Sequence, residues 1–237
     1  MKSSKSKKII YLLAILILPG SIYLMLWTGE HNFTPLPKIG PKEVVKNADG
    51  SFDTLYHTIP YFEFTNQDGK IVTRDDLLGH IYLADFFFVS CPTICPKMTT
   101  NMAYVQDKFK DKKGLRFISI TVNPEHDTVE VLRDYADKVH ANTDTWDFLT
   151  GDKEAIYDVA LNGFFVSAQK DEVAPGGYLH SQYLILIDKQ GRIRGLFDGT
   201  IHKTVKEDLG DAIDMLLTEE FAPMKGEPKK DLIEQHK

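Results

Sequence analysis

Cysteine is nearly absent from this chain: Cys91 and Cys95 are the only two among 237 residues. With no second pair, zinc held by four sulfurs is excluded. Positive charge is also in short supply. Lys and Arg total 28 against 34 Asp and Glu, giving a formal charge of -6. That excludes the basic footprint of a nucleic-acid-binding domain. No internal repeat is visible, so a repeat architecture is excluded. Apolar bulk is what the chain has in quantity. The hydrophobic fraction is 43%, with 14 Phe and 10 Tyr, and predicts a packed core.

The first residues are basic, with Lys2, Lys5, Lys7 and Lys8, and the run from Ile9 to Trp27 carries no charge. As a helix that run would span about 28 Å, enough for a bilayer core. The expected topology is a cytoplasmic N-terminus at 1–8, a transmembrane anchor at 9–27 and an exported C-terminal domain. In a bacterium this is a single-pass inner-membrane protein with its domain on the periplasmic or extracytoplasmic side. A cleaved signal peptide is the competing reading. Against it, apolarity continues past Pro19-Gly20-Ser21 without an A-x-A-like site. No cysteine stands near residue 20, which excludes a lipoprotein signal. Pro19-Gly20 is expected to kink the span. Export places the cysteines in an oxidising compartment, where thiol function requires a delivered reductant.

Residues 28–50, with Pro35, Pro37 and Pro41, read as an extended tether poor in secondary structure. Residues 223–237 read as a charged tail, and the domain as 51–222. Inside it, YFEFTNQDGKIVTRDDL reads as a hairpin turning at Asp68-Gly69. HIYLADFFFVS and LRFISITVN read as strands covered on both faces. PKMTTNMAYVQDKFKDKKG, TVEVLRDYADKVH and DKEAIYDVALNG read as helices, and WDFLTG as a short strand. SQYLILIDKQGRIRGLFDG reads as a hairpin around Lys189-Gln190-Gly191, followed by an amphipathic helix. The expected class is α/β with a mixed sheet flanked by helices. The cysteines fall at the C-terminal end of a central strand, where such sheets place their sites.

Each cysteine precedes a proline, which disfavours helical backbone at the cysteine. The spacing therefore predicts a short loop, with Cys95 at a helix N-cap and Pro96 at the first helical position. The helix end would favour a thiolate at Cys95. Three uses compete for the pair. A structural disulfide would close a tiny loop and stabilise little. A dithiol redox site is usually C-x-x-C, whereas this is C-x-x-x-C. Two soft thiolates also suit Cu(I) or Zn(II), and with one imidazole they fit copper better. Among eight histidines, His180 follows the Gly176-Gly177 loop into a buried strand, a position suited to delivering a ligand. Met98 and Met102 sit at helical spacing and read as core rather than thioether ligands.

The blocks FTNQDGKIVT, LADFFFVSCPTICPKMT, FISITVNPEHDT, WDFLTG and LHSQYLILID, in this order over about 56–217, resemble the Sco/SenC family of membrane-anchored copper-binding proteins. The resemblance implies a thioredoxin-like fold behind an N-terminal transmembrane helix. It implies copper, as Cu(I) or Cu(II), bound through Cys91, Cys95 and His180. It implies a role in assembling the dinuclear copper centre of cytochrome c oxidase subunit II, by delivering copper, by reducing that subunit's cysteines, or both. Cys91 and Cys95 would then be the redox pair, and an exported thioredoxin-like reductase a further partner. The family usually shows D-P-x-x-D after the second core strand, and this chain has Asn123-Pro124-Glu125-His126-Asp127. Asn123 cannot supply the charge of the acidic residue that lies close to the metal in relatives, though it can hydrogen-bond. Asp85 and Asp127 are nearby carboxylates that read first as strand-end or turn residues.

A thiol–disulfide oxidoreductase is the alternative. Thioredoxins, however, place a proline opposite the cysteines, where this chain has Leu179-His180, and Pro175 is too far away. The peroxiredoxin pattern P-x-x-x-T-x-x-C is absent.

Overall fold

The structure is a computed structural model. It describes residues 35–47, 49–167, 169–170, 178–179 and 181–219, together with positions 11, 13, 15, 17–21 and 23. The chain divides into two compact units, Met1–Pro35 and Leu36–Lys237. In the first, every described position from Tyr11 to Tyr23 is helical, including Pro19 and Gly20. Among the described residues no helix is long and apolar enough to cross a membrane. Much of the expected span at 9–27, and the tail at 223–237, lie outside them.

The second unit is built on a seven-stranded mixed sheet. Its strands are β3 (Glu63–Asn66), β4 (Ile71–Thr73), β5 (Ile81–Phe87), β6 (Leu115–Thr121), β7 (Trp146–Thr150), β10 (Tyr183–Ile187) and β11 (Ile193–Asp198). The spatial order is β11-β10-β5-β6-β7-β3-β4. β5, β6 and β7 run parallel, and the outer strands pair antiparallel. Every residue of β5 and β7 is buried. That is the burial of parallel strands sandwiched between helical layers, and it explains the unbroken apolar runs.

Helix α2 (Cys95–Lys108) connects β5 to β6, and α3 (Val129–Lys138) connects β6 to β7. Before them, α1 (Arg74–Leu77) is a single turn held by a capping box between Thr73 and Asp76. After β7, α4 (Lys153–Asp158) continues into a π-helical turn, Val159–Gly163. The chain closes with α5 (His202–Thr204), a second π turn at Val205–Leu209, and α6 (Gly210–Glu219). The expected hairpin turns are present, with Gly69 and Gly191 at positive φ (75° and 76°). Two-residue strands β8 (Gln169–Lys170) and β9 (Tyr178–Leu179) pair with each other.

Part of the segment read as an extended tether poor in secondary structure forms a strand. β1 (Lys42–Lys46) pairs antiparallel with β2 (Phe52–Tyr56) in a separate two-stranded sheet. Ahead of it, the guanidinium of buried Arg194 fixes the chain to the sheet. It donates to the carbonyls of Leu36 (2.8 Å) and Pro37 (3.2 Å), and also to Asp188 and Glu219. Ile39 bridges to Ile193, its N–H donating at 2.9 Å. Behind the hairpin, the N–H of His57 donates to Pro41 and that of Ile59 to Gly191. Composition alone marked Pro35, Pro37 and Pro41 as a linker. Partners more than 130 residues away, at Arg194, Ile193 and Gly191, tie Leu36, Pro37, Ile39 and Ile59 to the β10–β11 hairpin.

Candidate metal centre

β5 ends at Phe87, and the chain turns through Phe88–Ile94 before α2 begins. Pro92 agrees with the non-helical backbone of Cys91 before it, whereas Cys95 is helical although Pro96 follows it. The helix starts one residue earlier than expected. Cys95 is its first residue, Pro96 its second, and Ile94 the cap, without a capping side chain. Cys91 and Cys95 are both buried, at 6% and 1% exposure, and are not joined by a disulfide. The two sulfurs are hydrogen-bonded to one another. Thr93 Oγ1 lies 3.8 Å from the sulfur of Cys91.

The electrostatics reverse the sequence expectation for Cys95. Its hydrogen bond with Cys91 and its burial drive the thiol well above the usual range. The charges of Cys91 and Asp85 push the same way, and only a backbone hydrogen bond at Phe88 opposes them. The helix end favours a thiolate in principle. Here the hydrogen bond to the second sulfur and burial outweigh it. A bound cation would offset the charge repulsion, because metal ligation requires deprotonated sulfur.

Asp85 is buried in β5 and faces Ser119 of β6 in the strand register. Asp127 is completely buried and holds three groups at once. It accepts from the N–H of Val89 (3.1 Å) and from the hydroxyl of Thr121, and it pairs with Nδ1 of His126 at 2.7 Å. Its hold on Val89 fixes the loop two residues before Cys91. Asn123 sits beside it, and its carbonyl accepts from the N–H groups of His126 and Asp127. The Asn123–Asp127 turn thus forms on backbone bonds with an amide side chain at its first position.

Sequence reasoning passed over Thr121 and Tyr135. Thr121 was visible as a hydroxyl closing an apolar strand. Tyr135 hydrogen-bonds Thr99 of α2 at 2.9 Å. Burial, with the charges of Asp85, Cys95 and Cys91, raises its hydroxyl to about 12. Only its place on the inner stripe of α3 hinted at this. Met98 and Met102 are buried in the core, as expected from their spacing.

His180 lies outside the described residues. The strands around it are described, and their register is informative. β10 runs antiparallel to β5, with Ile185 opposite Ala84 and Ile187 opposite Tyr82. The chain therefore enters β10, just past position 180, at the pole of the sheet where β5 releases the chain toward Cys91. Other histidines have structural employment. His57 bonds the Gly163 carbonyl at 2.8 Å, His126 pairs with Asp127, and His202 bonds Asn101 at 2.7 Å. Burial lowers the pKa of His80, and His140 holds a positive-φ turn position. Among the described residues, no three His, Cys, Asp or Glu side chains are gathered in a metal-holding group.

Comparisons with known proteins bear on the family and the fold. The SCO1/SenC family model matches residues 53–214. The SCO1 protein homolog of Bacillus subtilis is 35% identical over 159 residues, covering 66% of this chain and 81% of its own. The solved structure of BsSco, described as a member of the Sco family of cytochrome c oxidase assembly proteins with a disulfide switch, is 33% identical. It superposes with a TM-score of 0.60 over 68% of this chain and 94% of its own. Bradyrhizobium japonicum ScoI with copper bound is 28% identical, with a TM-score of 0.56 over 67% of this chain and 97% of its own. These neighbours and the mixed sheet make the fold a thioredoxin-like α/β domain. The C-P-T-I-C-P loop at the end of β5, the Asn123–Asp127 turn beside it and the family match over most of the domain place this chain in the SCO1/SenC family.

Proposed function

We propose that the chain is a membrane-anchored copper chaperone. Cys91, Cys95 and His180 hold copper as cargo and pass it to the dinuclear copper centre of cytochrome c oxidase subunit II. The observation that carries this reading is the buried, hydrogen-bonded thiol pair at the pole where the chain enters β10 three residues past His180. Two thiolates and one imidazole form a soft, three-coordinate donor set that suits Cu(I). Support also comes from copper in the Bradyrhizobium relative and from the structural roles of the described histidines. Residues 9–27 hold the domain on the exported side of the membrane.

The test is a Cu(I) titration of the reduced full chain against a competing chelator, with His180→Ala and Cys91→Ser alongside. One copper per chain is expected, with affinity falling about 10- to 100-fold or more for His180→Ala. Equal affinity of His180→Ala and wild type would remove the three-ligand site.

A second reading has its own support in the contact between the sulfurs. The dithiol of Cys91 and Cys95 would reduce a disulfide of the acceptor. Two electrons and two protons pass to the acceptor's sulfurs, and Cys91 and Cys95 leave joined as a disulfide. An exported thioredoxin-like reductase must then restore them. Reduction of an oxidised copper-site peptide by the copper-free chain, lost in Cys95→Ser, is the expected result. Failure to reduce that peptide sinks the second reading and leaves the first standing.

A further inference from the structure

Among the described residues, nothing layers over the β1–β2 hairpin. Nine of its ten strand residues are exposed, and Thr54 is half-buried. A lone two-stranded hairpin in water is marginal at best. This one also carries apolar groups that a solvent-facing hairpin does not need: Val44 is 67% exposed and Phe52 71%, with Leu55 and Tyr56 exposed as well.

The register sorts these residues by face, because directly opposed residues of an antiparallel pair project to the same side. Lys42 opposes Tyr56, Val44 opposes Thr54 and Lys46 opposes Phe52. One face therefore combines two lysines, two aromatics and a valine, with no carboxylate. Glu43 opposes Leu55, and Val45 opposes Asp53. Both strand carboxylates lie on the other face. The ammonium of Lys38 sits 4.3 Å from the ring centroid of Tyr56 and adds a third cation beside the first face.

Segregation of cations with aromatics on one side, and anions on the other, is the pattern of a surface that meets an anionic, partly apolar layer. Only 14 residues, Thr28 to Pro41, separate β1 from the apolar run ending at Trp27. If residues 9–27 anchor the chain as proposed, a bilayer is the first surface the exported chain meets.

We infer that the Lys42–Val44–Lys46–Phe52–Tyr56 face of the hairpin docks on the headgroup layer of an anionic membrane. Lysines engage lipid phosphates, and Phe52 and Tyr56 enter the interfacial region. The occupant is lipid rather than a protein, because the face joins lysines to aromatics and carries no carboxylate.

The test uses the full chain in nanodiscs of phosphatidylcholine alone and of phosphatidylcholine with phosphatidylglycerol, read by amide hydrogen exchange. Exchange across 42–56 is expected to be about tenfold slower in the anionic discs. The variant Lys42→Gln/Lys46→Gln should lose that difference, and Phe52→Ser should weaken it, with β5 and β6 exchange unchanged as the folding control. Equal exchange in both discs and in the variants overturns the docking surface. Protection that ignores lipid charge but rises with the number of chains assigns the face to a second copy and also overturns it. Failure of the anchor is separately visible, because the chain then does not copurify with discs. In that case sedimentation with phosphatidylglycerol vesicles decides: lysine-dependent binding supports the surface, and no binding removes it.

Discussion

Asp127 joins three parts of the site with one carboxylate: the loop before Cys91, the end of β6 and the ring of His126. Because it is fully buried, its removal leaves an N–H and a hydroxyl without their acceptor. Asp127→Ala should destabilise the domain by about 1–3 kcal/mol in chemical denaturation. It should also weaken Cu(I) binding by about 10- to 100-fold, as loss of a ligand-orienting partner does. Asp127→Asn keeps the shape and should fall between. Unchanged copper affinity in Asp127→Ala would mean that the Cys91 loop holds its geometry without this anchor.

At the scale of elements, the single turn α1 depends on its cap. Asp76 accepts from the hydroxyl and N–H of Thr73, and the Thr73 hydroxyl accepts from the N–H of Asp76. The Thr73 side-chain and backbone hydrogen bonds lower the Asp76 carboxyl below its ordinary value of 3.8. A lowered folded-state value stabilises the fold above the unfolded value, and the contribution is lost as pH falls through the folded one. Thr73→Val should therefore lower the melting temperature at pH 7, and the gap to wild type should narrow below pH 4. A gap independent of pH would show that the carboxylate is not the partner that matters. β5, β6 and the Pro96 helix were legible because unbroken apolar runs and a proline beside a helix start carry their information locally. β1 was not legible. Its strands are short and exposed on both faces, so K-E-V-V-K shows no buried side. The direction of the Cys95 shift escaped for a related reason: it depends first on the Cys91 sulfur and on burial, both set by the fold. His180 stood out through its block and its glycines, and only the β5–β10 register says which pole of the sheet its neighbours reach.

Across the whole molecule, Arg194 ties together segments that lie far apart in sequence. Its buried guanidinium donates to Asp188, to Glu219 and to two carbonyls ahead of β1. Arg194→Met leaves Glu219 and two carbonyls without this donor, while Asp188 keeps Arg192. A loss of about 3–5 kcal/mol is expected, with faster proteolysis between residues 36 and 59. Equal protease sensitivity would show that the Ile39–Ile193 bridge is sufficient. The same clamp sets how the domain bears mechanical load. Tension on the chain ahead of Leu36 is taken first by the Arg194 contacts and the Ile39–Ile193 bond. The β1–β2 hairpin lies downstream of them, with its feet pinned together where the N–H of His57 meets the carbonyl of Pro41. It is a side loop off the force path. Pulling on the tether therefore neither peels the hairpin open nor strains β5, the strand that leads into the sulfur loop, until the guanidinium lets go.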